Sequence, residues 1–243
     1  MHDLSDVTVA IPFRDQGDRT PQLEWLRARY EALLPEVELI VEPDDGEDPF
    51  SKTIAVNNCL KKATRPIIAV IDADVWVERE AIETAAKLIR NGDTAWVRPA
   101  DRVLRLTGHT TRKLIQTNPA APTPTFSEED CEAITGTVGL AFIVSAEAFR
   151  DIAGMDPRFR GWGWEDNAFN WAMRCLHGQE ILFNATLIHL WHPRGKDQEG
   201  RRVWKGQQGR NAELGTRYKR AARRPTWMRR LIEEHRHISG IKR

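Results

Sequence analysis

Asp72-Ala-Asp74 follows directly on the most apolar run of the chain, Ile67-Ile-Ala-Val-Ile71. Alternate residues of an extended backbone share a side, so both carboxylates point one way and Ala73 the other. Two carboxylates this close, beside a diphosphate, repel each other unless a cation joins them, and their hard oxygen atoms suit Mn²⁺ or Mg²⁺. A turn carrying two solvated acids is the plainer alternative. Position favours the metal, because open parallel sheets bind ligands where their strands end. His189-Leu-Trp-His192 stands beside Pro193 at what reads as another strand end. In an extended segment these histidines face opposite sides, so the pattern supplies one metal ligand, and a structural role is the commoner fate of a lone histidine.

Gly161-Trp-Gly-Trp-Glu-Asp166 is the most unusual string. Tryptophans set between glycines offer flat apolar faces on a pliant backbone, which suits stacking on sugar rings. Glu165 and Asp166 then supply acceptors for hydroxyl groups and a candidate general base. Alternatively the tryptophans are core, the glycines form turns, and the acids cap the helix that follows. The two readings are compatible, since a helix N-terminus keeps a carboxylate ionised and oriented.

The elements around these residues alternate. Val7–Phe13 reads as a buried strand, Pro21–Leu34 as an amphipathic helix, Val37–Val41 as a strand closed by the turn Pro43-Asp-Asp-Gly46. Ser51–Ala63 reads as a helix, Ile67–Ile71 as a fully buried strand, and Glu78–Arg90 as a helix stopped by Asn91-Gly92. This order predicts right-handed crossovers and a largely parallel sheet. Asn118–Thr125 is a proline-rich exposed loop, and Thr135–Val144 a glycine-punctuated strand leading to a helix capped by Ser145. An amphipathic stretch, Asn167–Leu176, follows the Trp-Gly string, and Ile181–Phe183 and Thr186–Leu190 read as short strands.

Three strings carry a family resemblance: Ile11-Pro-Phe-Arg-Asp15, Asp72-Ala-Asp74 and Gly161-Trp-Gly-Trp-Glu-Asp-Asn167. In order and approximate spacing the chain resembles the catalytic domain of the β-1,4-galactosyltransferases, and the wider inverting GT-A glycosyltransferases that share its C-terminal module. Phe50-Ser-Lys-Thr-Ile-Ala-Val-Asn57 is similar to the helix lying over the nucleotide, and Phe149–Met155 to the segment before the Trp-Gly loop. The similarity runs from about Val7 to His192. It implies an α/β GT-A fold, a mixed but mostly parallel sheet flanked by helices, over residues 1–195.

The resemblance also implies roles. Pro12, Phe13 and Arg14 would surround the uridine and phosphates of a UDP-sugar, with Asp44 and Asn57 on the same donor side. Asp72 would meet the ribose or the metal, and Asp74 would be a direct ligand of Mn²⁺ or Mg²⁺. Trp162 would move with a loop closing over the donor. Trp162, Trp164 and Glu165 would contact the acceptor sugar, and Asp166 would deprotonate the attacking hydroxyl. His192, followed by Pro-Arg, matches the family's metal histidine and is preferred to His189. Departures lie at Trp164, where the family has glycine, at Asn167, where it has an acid, and at Lys52, where arginine is usual. The implied reaction is a single in-line displacement of hexose with inversion. A nucleotidyltransferase would instead show a glycine-rich phosphate loop after the first strand, and Ile11-Pro-Phe-Arg-Asp-Gln-Gly17 is poor in glycine. A non-catalytic sugar-binding module would keep the tryptophans but lose Asp74 or Asp166.

Composition sets the remaining bounds. The 243 residues suffice for one sizeable domain with an extension, and no run approaches the ~18–20 apolar residues of a membrane span. Three scattered cysteines and no recognisable leader point to the cytoplasm. The net charge of +1 conceals a division. Residues 196–243, expected to form a basic helical extension, carry fifteen Lys/Arg against five Asp/Glu, leaving 21 against 30 before them. Such a segment suits DNA or another polyanion, a membrane surface, or the acidic body itself through Trp204, Tyr218 and Trp227.

Overall fold

The computed structural model describes residues 3–15, 19–136, 139–193 and 208–242. Its main sheet begins with β1 (Val7–Pro12), which pairs in parallel with β2 (Glu38–Glu42) on one side and β3 (Ile67–Ile71) on the other. Every residue of β1 and β3 is buried, which is why both read as unbroken apolar runs rather than alternating ones. Helices α1 (Thr20–Leu33), α2 (Lys52–Lys62) and α3 (Arg79–Arg90) make the crossovers. Ser51 starts α2 by accepting the Ile54 amide on its hydroxyl.

The six-stranded sheet runs β2-β1-β3-β8-β5-β9, with β5 at Trp96–Arg98, β8 at Ala141–Ser145 and β9 at Ile181–Leu182. Strand β8 is antiparallel to both β3 and β5, so the sheet is mixed. Side chains of β3 alternate between two cores. Ile67, Ala69 and Ile71 face a core shared with α1 and α3, while Ile68 and Val70 face one shared with α2 and the later helices.

A second, four-stranded sheet was not foreseen. It runs β4-β10-β6-β7, from Val75–Trp76, Thr186–His189, Arg102–Leu106 and Cys131–Gly136. The expected strand Thr135–Val144 is therefore two strands of different sheets. Leu140, at φ 63°, turns the chain between them, and the Asp72 amide donates to its carbonyl at 2.8 Å. Helix α4 (Gly108–Leu114) follows β6, and α5 (Ala146–Asp151) is capped by Ser145 as expected. The proline-rich loop Asn118–Thr125 is tied down by buried Arg29, which donates to the Pro119 and Ala121 carbonyls and to Thr123.

Helix α6 (Glu165–His177) starts earlier than its apolar pattern suggests, so Glu165 and Asp166 lie in its first turn. The basic segment holds α7 (Gln208–Ala221) and α8 (Pro225–Ser239), broken before Pro225. Both helices pack on α6, and Tyr218, Ala221, Met228, Leu231, Ile232 and Ile241 belong to its core. Of the aromatics expected to dock this segment, Tyr218 is buried, Trp227 is half exposed under Arg224, and Trp204 lies outside the described residues. Among the described residues no helix is long and apolar enough to cross a membrane.

Candidate active site

The end of β3 delivers Asp72, and the antiparallel pairing of β4 with β10 delivers Asp74. His189 is in register with Val75, and the Leu190 amide donates to the Asp74 carbonyl at 2.8 Å. Beyond His189 the chain leaves the strand, so alternation no longer applies and His192 turns back to the same carboxylate. Asp74 Oδ1 lies 3.6 Å from His189 Nε2, and Asp74 Oδ2 lies 3.2 Å from His192 Nε2. The expectation that only one histidine could face the acid is thus corrected. Arg19, at the start of α1, stands 3.5 Å from Asp74. Burial opposes the Asp74 charge, but His189, His192 and Arg19 outweigh it and hold the carboxyl below its ordinary range.

Asp74, His189 and His192 each offer one ligand atom, and these atoms lie within 4.8 Å of one another. The donor set fits a divalent ion. His192 Nδ1 faces the Pro193 carbonyl at 2.8 Å, an oxygen that cannot donate, so Nδ1 carries the proton. His192 Nε2 then faces a carboxylate oxygen of Asp74, as a metal ligand would. One carboxylate with two imidazoles suits Mn²⁺ better than Mg²⁺, which prefers oxygen throughout.

Asp72 turns the other way. Its Oδ1 accepts from Lys52 Nζ at 2.8 Å, and the same ammonium lies 3.1 Å from Asp166 Oδ1. Burial raises the Asp72 carboxyl to about 6 despite Lys52, with Asp166 and Asp74 adding to the rise. Burial also works against the Lys52 charge, but Asp166, Asp72 and Glu165 prevail and hold the ammonium above its ordinary range. Lys52 sits at the first position of α2, one residue after the Ser51 cap, which fixes where its stem leaves the helix. Asp166 comes close because Gly139 has no side chain: a Cβ there would meet Asp166 Oδ2 at 1.9 Å. Neighbouring Glu165 is buried, its Oε2 has no hydrogen-bond partner, and burial with the Asp166 charge pushes it up to about 7.

On the donor side, Pro12 ends β1 and the Phe13 amide continues the ladder to Glu42 O. Arg14 bonds the Glu47 carbonyl and Asp48, lies 3.4 Å from Asp44, and covers Phe50. Asp44 is buried and spends its oxygens on the Gly46 and Ser51 amides. Asn57 does not face this side. It donates to Met155 O at 2.7 Å and accepts from the Met155 amide at 2.9 Å, clamping the left-handed turn at Ala153 and Gly154. The side-chain amide expected to meet the donor is thus engaged with Met155.

Trp162 is 61% exposed beside the site. Trp164 is not presented there. Its ring lies against Trp171 and so close to α7 that a Cβ on Gly215 would meet it at 2.5 Å. Acceptor contact by Trp164 would require it to leave this packing. Two charged partners went unassigned in the sequence: Arg19, which no motif marks, and Lys52, noted only as a departure from arginine.

Residues 127–178 match the family described as the N-terminal domain of galactosyltransferase. No curated protein sequence matches the chain. Among solved structures, Mycobacterium tuberculosis glucosyl-3-phosphoglycerate synthase, held with Mn²⁺, UDP-glucose and phosphoglyceric acid, is 13% identical. The match covers 90% of this chain and 82% of that one, at a TM-score of 0.54. The catalytic domain of Drosophila β1,4-galactosyltransferase 7 with xylobiose is 16% identical, over 85% and 79% of the two chains, at a TM-score of 0.48. The chain thus has the GT-A fold, and residues 127–178, which include the Trp-Gly loop and α6, match the galactosyltransferase family model.

Proposed function

We propose that this chain moves a hexose or related sugar, with inversion, from a UDP-linked donor to an acceptor hydroxyl, using a divalent ion held by Asp74, His189 and His192. The observation that carries the reading is the shared ammonium of Lys52, which joins Asp72 at the donor strand to Asp166 on the module helix. That bridge sets a base beside the metal-ligand triad. Mn²⁺ with UDP-glucose in the mycobacterial structure of the same fold supports this choice of metal and donor.

When bound, the ion would neutralise charge on the departing diphosphate. Lys52 holds one oxygen of Asp166, leaving the other to take the proton of the attacking hydroxyl. The hydroxyl oxygen bonds to the anomeric carbon as the bond to the diphosphate breaks, so that centre inverts. Glu165 Oε2, buried without a partner, is suited to a second hydroxyl of the acceptor. Pro12, Phe13, Arg14 and Asp44 shape the nucleotide side, and Trp162 supplies an apolar face for a sugar ring. Asp72 belongs to the donor and to Lys52 rather than to the triad.

A screen of nucleotide sugars for nucleotide release, with and without Mn²⁺, tests the reading. Turnover should require the ion and be strongest with a UDP-sugar. Asp74→Ala should abolish Mn²⁺-dependent UDP binding without lowering the melting temperature. Unchanged UDP affinity and an unchanged Mn²⁺ requirement in that variant would overturn the donor-site assignment.

A further inference from the structure

Helix α7 spends one stripe on the loop before α6. Asn211, Gly215 and Tyr218 are spaced i, i+4 and i+7, and all three meet that loop. Asn211, 2% exposed, donates through Nδ2 to Arg160 O at 2.9 Å and Gly163 O at 3.1 Å. Its Oδ1 accepts the Arg160 amide at 3.4 Å. Gly215 leaves just enough room for the Trp164 ring. Tyr218 donates to Asp156 Oδ2 at 2.9 Å. Between these holds lies Trp164 at φ 73°, a left-handed conformation that costs a bulky residue energy and persists only where its surroundings impose it. Glu165 and Asp166 follow at once, and the Ala168 amide closes the first turn of α6 on Trp164 O.

We propose that Asn211 is a positioning residue for Asp166, acting through the Gly163–Trp164 peptide, and that α7 thereby sets the base although it lies outside the galactosyltransferase module. This rests on the glycosyl-transfer reading above. Without the Asn211 amide the Gly163 carbonyl loses its partner, the Trp164 peptide relaxes towards ordinary φ, and the first turn of α6 swings Asp166 off Lys52. The hydrogen bonds of Asn211 go to Arg160 and Gly163 and, among the described residues, none to β1, β3 or the metal-ligand triad, so the donor side would feel the change only indirectly, through Arg160 beside Asp45.

The test compares full-length wild type, Asn211→Ala, Asp166→Asn and the double variant. Hydrogen exchange in a peptide spanning residues 161–170 should quicken at least about tenfold in Asn211→Ala, with residues 7–12 unchanged. Mn²⁺-dependent donor turnover should fall about tenfold or more in kcat, with KM for the donor within about twofold. The double variant should be no slower than Asp166→Asn alone, because both changes strike one function. Gly215→Ala, which displaces Trp164 without touching a hydrogen bond, should show the same exchange and kcat pattern. Unchanged exchange in residues 161–170, or losses that multiply in the double variant, would overturn the proposal. Absence of turnover with any nucleotide sugar in wild type would sink the glycosyl-transfer reading instead, while the exchange measurement still decides whether α7 holds the loop.

Discussion

In the proposed reaction Asp166 and Asp74 serve two halves of the chemistry, and single substitutions should separate them. Asp166→Asn keeps the shape of the side chain and the Lys52 contact but cannot accept a proton as a carboxylate does. Turnover on the true acceptor should fall ~10²–10⁴-fold while UDP affinity in Mn²⁺ stays nearly constant. Equal losses in binding and rate, read by titration and by initial velocity, would recast Asp166 as a helix cap. Residue-level legibility in the sequence was uneven for physical reasons. Asp72 and Asp74 stood out because five apolar residues in a row must be a buried strand, and strand ends gather ligands. His189 was set aside because the alternation rule assumes a strand that in fact stops there. The structural contacts of Asn57 and Trp164 were not legible because their partners, Met155 and Gly215, are distant in sequence and no local pattern announces them.

At the level of elements, α8 is the part whose weight was hardest to judge. Its charge advertises a solvated or polyanion-binding face, yet Met228, Leu231, Ile232 and the following Ile241 are buried. Part of its charge also serves docking. Arg229 pairs with Asp151 at 2.7 Å, and Arg236 donates to the Arg150 and Asp151 carbonyls. Ending the chain at Arg220 removes buried Ala221 and, beyond it, four large buried apolar side chains worth roughly 1.5–3 kcal/mol each, against a total stability of ~5–15 kcal/mol for an ordinary domain. The shortened protein should therefore lose its cooperative thermal transition, followed by circular dichroism. A melting temperature within a few degrees of wild type would show α8 to be an appendage. The first three strands and helices were legible because each was long and regular in period. The second sheet was not, since β4 is only two residues long and β7 is largely exposed.

Stability is a property of the whole molecule, and the buried acid beside the base should make it depend on pH. Folding raises Glu165 from 4.5 to about 7, so the native state prefers the neutral acid. That contribution is fully present below pH 4.5 and is lost as pH rises through about 7. Glu165→Gln cannot lose it. The variant should match wild type near pH 4.5 and exceed it by about 2–3 kcal/mol at pH 8, in chemical denaturation curves. Comparing the pair cancels other titrations, such as buried His235, which burial pushes down to about 4. A constant difference across that range would show that folding leaves the Glu165 carboxyl unshifted. The acids were legible as a motif, but their burial was not, since it depends on the way α6 is seated beneath α7.

The seating of the Trp-Gly loop against α7 also governs the order in which competence is acquired. In chain order α7 follows β1 and β3, both segments of the Asp74, His189 and His192 cluster, and α6. Chains fold from their N-terminal side as they are made. In the proposed reading, the residues assigned to donor capture therefore emerge before α7, the element proposed to set Asp166 against Lys52. On that reading, a polypeptide not yet extended through α7 would lack the positioned base and would not spend activated sugar on water.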